Sequence, residues 1–311
     1  MEMRKIGSLD VSVVGLGCNN FGGRLDENAT RVVIDAALDA GVTLFDTADI
    51  YGGTRSEEFV GRALAGCRDD VVIATKFGMG DGTTLPAGAS AASVNASVEG
   101  CLRRLGTDRI DLFQLHMPDD ATAIDETLAA LDQLVRDGKV REIGCSNFDG
   151  KHLDEAEQAA REHGTARFVS VQNELSLLCR GGEAELLAAC ARIDLQILPF
   201  YPLASGLLTG KYRRGEEPPA GTRIESMPTD RREDALSDRR FDIVEALDAF
   251  ARERGHTLLE LATCWLTGLP HLASVISGAT KPEQVVANVA AEGWVLSAEE
   301  RAEVDALTAP G

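Results

Sequence analysis

The chain has 311 residues, 44% of them hydrophobic and 26% charged, an ordinary globular composition that argues against a disordered, collagenous or fibrous protein. Thirty-one basic against 50 acidic side chains leave a formal charge of −19, a field that repels a phosphate backbone and counts against nucleic acid as a partner. Any anionic small ligand must then be met by local cations or backbone N–H groups.

Seven cysteines, at 18, 67, 101, 145, 179, 190 and 264, form an odd set without a C-x-x-C pair, so reduced thiols are expected. The first residues lack the apolar run of a signal peptide, and nowhere do about 18 apolar residues follow one another. The expectation is a cytoplasmic protein with no membrane partner.

Along the chain, the first twelve residues read as a small hairpin. Short apolar runs then follow at Val13–Gly17, Thr43–Asp46, Val71–Lys76, Ile110–His116, Val140–Cys145, Phe168–Gln172, Leu195–Phe200 and Ser274–Ser277. Their nearly continuous apolar character suits strands buried on both faces, as in a parallel sheet. Between them, Asn28–Ala40, Ser56–Ala65, Ser90–Leu105, Ala123–Asp137, Lys151–His163 and Glu183–Ala191 carry apolar residues three and four apart and read as helices. Ser205–Arg240 is too long for an ordinary connection and reads as a functional or mobile loop. Helices Phe241–Arg254 and Thr257–Leu266 precede the eighth run, and Ser297-x-x-Glu300 makes a capping box for a last helix in the segment 296–311.

The runs start about thirty residues apart, the length of one strand-helix-strand unit. Eight such units predict an α/β fold of the (β/α)₈ TIM-barrel type, one domain over 1–311. Its surplus over about 250 residues lies in the hairpin, in the 205–240 loop after strand seven and in the C-terminal helix. A doubly wound dinucleotide fold is the rival, but Gly15-x-Gly17 is followed by Asn20 where the third glycine is needed. A Walker loop fails as well, because three residues separate Gly206 and Gly210 and Tyr212 follows Lys211.

In a barrel the chemistry gathers at the carboxyl ends of the strands. Asp46 ends the second run, Tyr51 follows in its loop, Lys76 ends the third and His116 the fourth. Singly, each has a structural reading: a turn cap, a half-buried aromatic, a snorkelling charge, an interior histidine. Together they are costly to bury unless they pair, which favours a joint site.

FDTADIYGGTRSEEFVGRAL (45–64), VVIATKFG (71–78), IDLFQLH (110–116), GKVREIGCSNF (138–148), VQNE (171–174) and YPLASGLLTGKY (201–212) resemble, in order and spacing, the aldo-keto reductases. The resemblance spans nearly the whole chain and implies a metal-free barrel that reduces an aldehyde or ketone with NADPH. It makes Asp46, Tyr51, Lys76 and His116 the catalytic tetrad. Carbonyl reduction by hydride leaves an alkoxide that needs a proton, and a phenol with pKa near 10 is a reluctant donor. An ammonium about 4 Å away at an effective dielectric near 20 favours the phenolate by about 4 kcal/mol, so Lys76 is expected to bring Tyr51 towards neutrality. Asp46 would hold Lys76, and His116 would donate to the carbonyl oxygen.

The resemblance also assigns the cofactor contacts. Ser146, Asn147 and Gln172 suit the nicotinamide carboxamide and Tyr201 its ring, and Gly17 is counted among the cofactor contacts. Pro202, Leu203, Ser205, Gly206 and Leu207, with Lys211 beyond, form a clasp for the pyrophosphate. Gly278, Thr280 and Lys281 open a helix whose N-terminus suits an anion. Thr280 and Glu283 are spaced as a capping box there, Lys281 suits a ribose 2′-phosphate, and Gln284 and Asn288 match adenine contacts. Pocket walls are expected from Asn19–Gly23, Phe77–Ser90, Met117–Ala121, the long loop and the segment around Trp294. Ser277 and Leu175 depart from the family pattern, away from the tetrad. Two alternatives stay open: a slow-turnover NADPH-sensing interaction subunit on the same barrel, and alcohol oxidation as the working direction. A metal-dependent hydrolase is disfavoured, because the five histidines include no H-x-H and no H-x-x-x-H.

Overall fold

The computed structural model describes residues 1–309. The hairpin is present as β1 (Met3–Ile6) and β2 (Leu9–Ser12), antiparallel, with Gly7 at φ +55° making the tight turn. The barrel strands are β3 (Val14–Gly17), β4 (Leu44–Asp46), β5 (Val72–Phe77), β6 (Ile110–Leu115), β7 (Val140–Ser146), β8 (Ser170–Gln172), β9 (Gln196–Ile197) and β10 (Val275–Gly278). They pair in parallel in the order β10-β3-β4-β5-β6-β7-β8-β9. Parallel bridges from Ile197 to Leu272 and from Phe200 to Ile276 close the circle. The seventh strand is shorter than its apolar run because Pro199 has no N–H to give to the ladder.

The outer ring consists of α1 (Glu27–Asp39), α2 (Arg55–Leu64), α3 (Ala91–Leu105), α4 (Ile124–Arg136), α5 (Gly150–His163), α6 (Glu183–Ile193), α7 (Thr229–Ala235), α8 (Asp238–Glu253), α9 (Leu258–Thr267), α10 (Pro282–Ala290) and α11 (Ala298–Leu307). The 205–240 stretch is therefore not one open loop. It holds a short 3₁₀ segment (Ala204–Thr209), α7 and the first residues of α8. The expected box at Ser297 caps α11; Pro310 and Gly311, the end of the predicted tail, lie outside the described residues. None of the helices among the described residues is long and apolar enough to cross a membrane.

Strand alternation decides what faces the barrel axis. Phe45, Ile73, Phe77 and Phe113 point outward into the strand–helix core, where Phe77 and Phe113 stack at 4.5 Å. Leu44, Val72, Ala74 and Leu112 point inward and are plugged from below by Ile6, Leu9 and Val11 of the hairpin. By the same alternation Asp46, Lys76 and Gln114 stand one layer higher inside the barrel, all buried. Cys18 and Cys145 belong to the outer apolar core, and all seven cysteines are free thiols.

Candidate active site

That upper layer forms a connected polar set. Lys76 Nζ donates to Asp46 Oδ2 at 2.7 Å and to the Thr47 carbonyl at 2.9 Å. Asp46 Oδ1 accepts from Gln172 Nε2 at 2.8 Å and from Gln114 Nε2 at 3.2 Å. A buried ion pair is tolerable only when its remaining lone pairs are satisfied, and the two amides do this for Asp46. Burial disfavours the Lys76 ammonium, but the Asp46 carboxylate and then Tyr51 outweigh it and hold the lysine above its ordinary pKa.

Tyr51 lies over this pair, its ring centroid 5.1 Å from Lys76 Nζ and 6.1 Å from the His116 ring, which meets it edge-on. Here the structure corrects the expected acidification. Burial raises the Tyr51 pKa, and the opposing pull of Lys76 does not cancel it, so the phenol stays above its ordinary value. Desolvating an anion costs more at this depth than one nearby ammonium returns. Burial, and then the Lys76 charge, push His116 down to about 3. Its imidazole is therefore neutral at physiological pH, and its buried Nδ1 has no partner. It is not a satisfied interior histidine.

Above the layer a cleft of about 630 Å³ opens at the carboxyl ends of the strands, within the range of small-molecule and cofactor sites. Asp46, Tyr51 and His116 line its inner end, while Lys76 stands behind them. Every predicted cofactor residue lines the cleft except Leu207, which is turned into the apolar core with Leu208, Tyr212 and Trp265. The segment around Trp294 does not reach the cleft either; Trp294 stacks on His256 at 4.1 Å.

Asn147 sits at φ +62°, a conformation asparagine adopts more readily than most residues. Its Nδ2 donates to the His116 carbonyl at 2.9 Å, and Ser146 Oγ donates to the Gln172 carbonyl at 2.7 Å. Tyr201, Ala204, Ser205 and Gly206 all have positive φ, so the backbone after β9 is tightly folded against the cleft. A Cβ on Gly206 would meet Lys211 Nζ at 2.5 Å, so only glycine lets that lysine lie against the turn. At α10 the predicted Thr280–Glu283 box is absent. Pro282 opens the helix, the pre-proline Lys281 is the cap, and the partner shifts by one residue: Thr280 N–H and Oγ1 donate to Gln284 Oε1 at 2.7 and 3.1 Å.

Residues that the sequence did not single out complete the site. Gln114 was legible in principle, since in IDLFQL it shares a face with Leu112. Arg24 and Arg223 carried no local signal; they come from loops brought together only in three dimensions. Arg24 Nη2 donates to the Gly221 carbonyl at 2.5 Å, and Arg223 Nη2 to the Tyr201 hydroxyl at 2.9 Å, with the guanidinium 4.7 Å over that ring.

Arg24, Lys211, Arg223 and Lys281 all line the cleft, and none has an acidic partner among the described residues. Burial, and then the neighbouring Arg24 charge, lower the Lys211 pKa. Unpaired like charges in a chain of −19 are what an anion with several phosphate oxygens would relieve, so the donor set fits a phosphorylated dinucleotide.

Barrel, polar strand-end layer and cation-lined cleft define a cofactor-dependent oxidoreductase barrel. Comparison with known proteins gives the family. The model of the Aldo/keto reductase family matches residues 13–309. The chain is 36% identical over 299 residues to an uncharacterized oxidoreductase, YrpG, of Bacillus subtilis (strain 168), covering 92% of this chain and 89% of that one. It is 32% identical to a probable voltage-gated potassium channel subunit beta of Oryza sativa subsp. japonica, covering 94% and 91%. The solved glycerol dehydrogenase AKR11B4 from Gluconobacter oxydans superposes with a TM-score of 0.82 at 31% identity, covering 98% of this chain and 94% of that one. The chain belongs to the aldo/keto reductase family, a family of oxidoreductases that use nicotinamide cofactors.

Proposed function

We propose that the protein is an NADPH-dependent reductase that converts an aldehyde or ketone to its alcohol, with Tyr51 as proton donor. One observation carries this reading: a phenol backed by the Lys76–Asp46 pair stands at the inner end of a cleft lined by four unpaired cations. When bound, NADPH supplies the hydride. Ser146, Asn147 and Gln172 would hold its carboxamide. Gln172 spends its amide N–H on Asp46, which leaves its Oε1 to accept. Tyr201 would carry the ring, and Arg24, Lys211 and Arg223 the pyrophosphate. Lys281 would take the 2′-phosphate, with Gln284 and Asn288 at the adenine.

Burial keeps Tyr51 protonated at neutral pH, the state a proton donor needs. As the carbonyl oxygen gains charge, Tyr51 gives it the hydroxyl proton, and Lys76 stabilises the phenolate left behind. Asp46 fixes the ammonium. His116, neutral, has one ring N–H to donate to the same oxygen and thereby orients the substrate.

The second reading is an interaction subunit with slow turnover, and the similarity to a plant channel subunit beta favours it. Loss of NADPH absorbance on addition of a panel of aldehydes and ketones tests both. Carbonyl-dependent oxidation supports the reductase; tight NADPH binding without turnover of any panel member supports the subunit.

A further inference from the structure

Between the Lys76–Asp46 pair and the helices behind it lies a buried carboxyl for which the mechanism above has no use. Asp49, in the loop between β4 and α2, is 1% exposed, and neither side-chain oxygen has a hydrogen-bond partner. Its own N–H donates to the Lys76 carbonyl at 3.2 Å, which ties this part of the loop to the strand that carries the lysine. The Ile50 N–H faces the carboxyl but does not reach hydrogen-bond geometry.

The surrounding charges are already balanced. On α2, Glu57 is fully buried and spends one oxygen on Thr75 Oγ1 and the other on Arg104 Nε of α3, both at 2.6 Å. On the other side Asp46 of β4 and Lys76 of β5 satisfy each other. Besides Glu57, Arg104 and Lys76, the Cys101 thiol of α3 is near enough to feel the Asp49 charge. Two carboxylates and two cations thus cancel, and Asp49 is the fifth, unmatched group. An ionised carboxylate without donors or a cation of its own is among the costliest things to bury.

We propose that Asp49 holds its proton in the resting protein and is an electrostatic positioning residue: neutral, it adds nothing to the one negative charge, that of Asp46, set against Lys76 beside Tyr51, and ionised, it slows proton donation. This rests on the reading of Tyr51 as the donor. Asp49 and Tyr51 both feel the Lys76 charge, so an ionised Asp49 would offset part of the ammonium field that stabilises the phenolate formed as Tyr51 gives up its proton. On ionisation the Asp49 proton passes to water. Burial, followed by the Glu57 charge, raises the Asp49 pKa to about 7, which places the change in the neutral range. A tenfold change in rate corresponds to about 1.4 kcal/mol, the interaction of two unit charges about 12 Å apart at an effective dielectric near 20.

Two measurements on the full chain decide it. Carbon-13 NMR of wild-type protein labelled at the aspartate carboxyl carbons should show one resonance titrating near neutrality, which Asp49→Asn deletes. If every aspartate carboxyl titrates below about pH 5, the inference is overturned, and this arm needs no variant that folds. The pH profile of kcat for carbonyl reduction should fall about tenfold through neutrality in wild type and in Asp49→Glu, and the fall should vanish in Asp49→Asn. Turnover with the same fall in wild type and Asp49→Asn overturns the inference and leaves the reductase reading standing. No turnover of any carbonyl overturns both.

Discussion

Gln172 Nε2 donates to Asp46 Oδ1 at 2.8 Å across the barrel. A residue assigned from the sequence to the cofactor is thereby also one of the three donors that hold the carboxylate behind Lys76. Cofactor site and proton-donor site share a side chain. Gln172→Ala is therefore expected to weaken NADPH and to lower kcat, each by roughly tenfold for a lost hydrogen bond to a charged group. Fluorescence titration and steady-state rates check this; a loss in affinity alone would show that Asp46 is held adequately by Gln114.

Tyr51→Phe removes one oxygen and leaves the ring to fill the same space. In the proposed mechanism kcat falls by about 10²- to 10⁴-fold, the usual contribution of a positioned acid, while the Kd for NADPH stays near that of wild type. Reduction at the wild-type rate would remove Tyr51 from the donor role.

Arg223 spans the cleft, bonded to the Tyr201 hydroxyl and placed over its ring. A charged hydrogen bond contributes about 1.5–3 kcal/mol and an exposed cation–π contact about 0.5–1 kcal/mol. Arg223→Ala should thus release NADP⁺ at least roughly tenfold faster in stopped-flow fluorescence. An unchanged release rate would mean that the arginine only covers the surface.

Lys281 caps α10 beside Thr280, at the outer end of the cleft. Lys281→Ala should raise the Kd for NADPH by ten- to a hundredfold, about the value of a charge-assisted hydrogen bond, with little effect on NADH. Equal losses for both cofactors would take the 2′-phosphate away from this lysine.

The buried carboxyl also sets a stability prediction. Folded, Asp49 has a pKa of about 7, against 3.8 for an ordinary carboxyl. Between those values the folded protein holds a proton that the unfolded chain has released, so stability falls as pH rises through this window. At about 1.4 kcal/mol per pH unit the cost reaches about 4 kcal/mol. Asp49→Asn escapes it, so the urea midpoint of the variant should rise relative to wild type between about pH 4 and pH 7. His116 acts in the opposite sense, since its folded pKa of about 3 lies below the ordinary 6.5 and stability is lost as pH falls through that range. It contributes equally to both proteins and drops out of the difference. A constant gap across the window would mean that Asp49 is ionised throughout.

What the sequence determined by itself was whatever depends on local repetition. Apolar runs about thirty residues apart are enough to specify strands and crossover helices, and they put Asp46 and Lys76 at the carboxyl ends of their strands without coordinates. The capping pattern at Ser297 was equally local, and it formed. At Thr280 the same pattern did not form, because Pro282 moved the helix start by one residue.

Tertiary structure alone decided the balances between distant groups. The protonation of Tyr51 is set by burial against Lys76, the isolation of Asp49 by how Glu57 and Arg104 consume each other, and the covering of Tyr201 by a loop arginine 22 residues on. Each is a small difference between desolvation and Coulomb energies that depend on depth and distance. A sequence records which charges exist; their depth and separation arise only when the barrel closes.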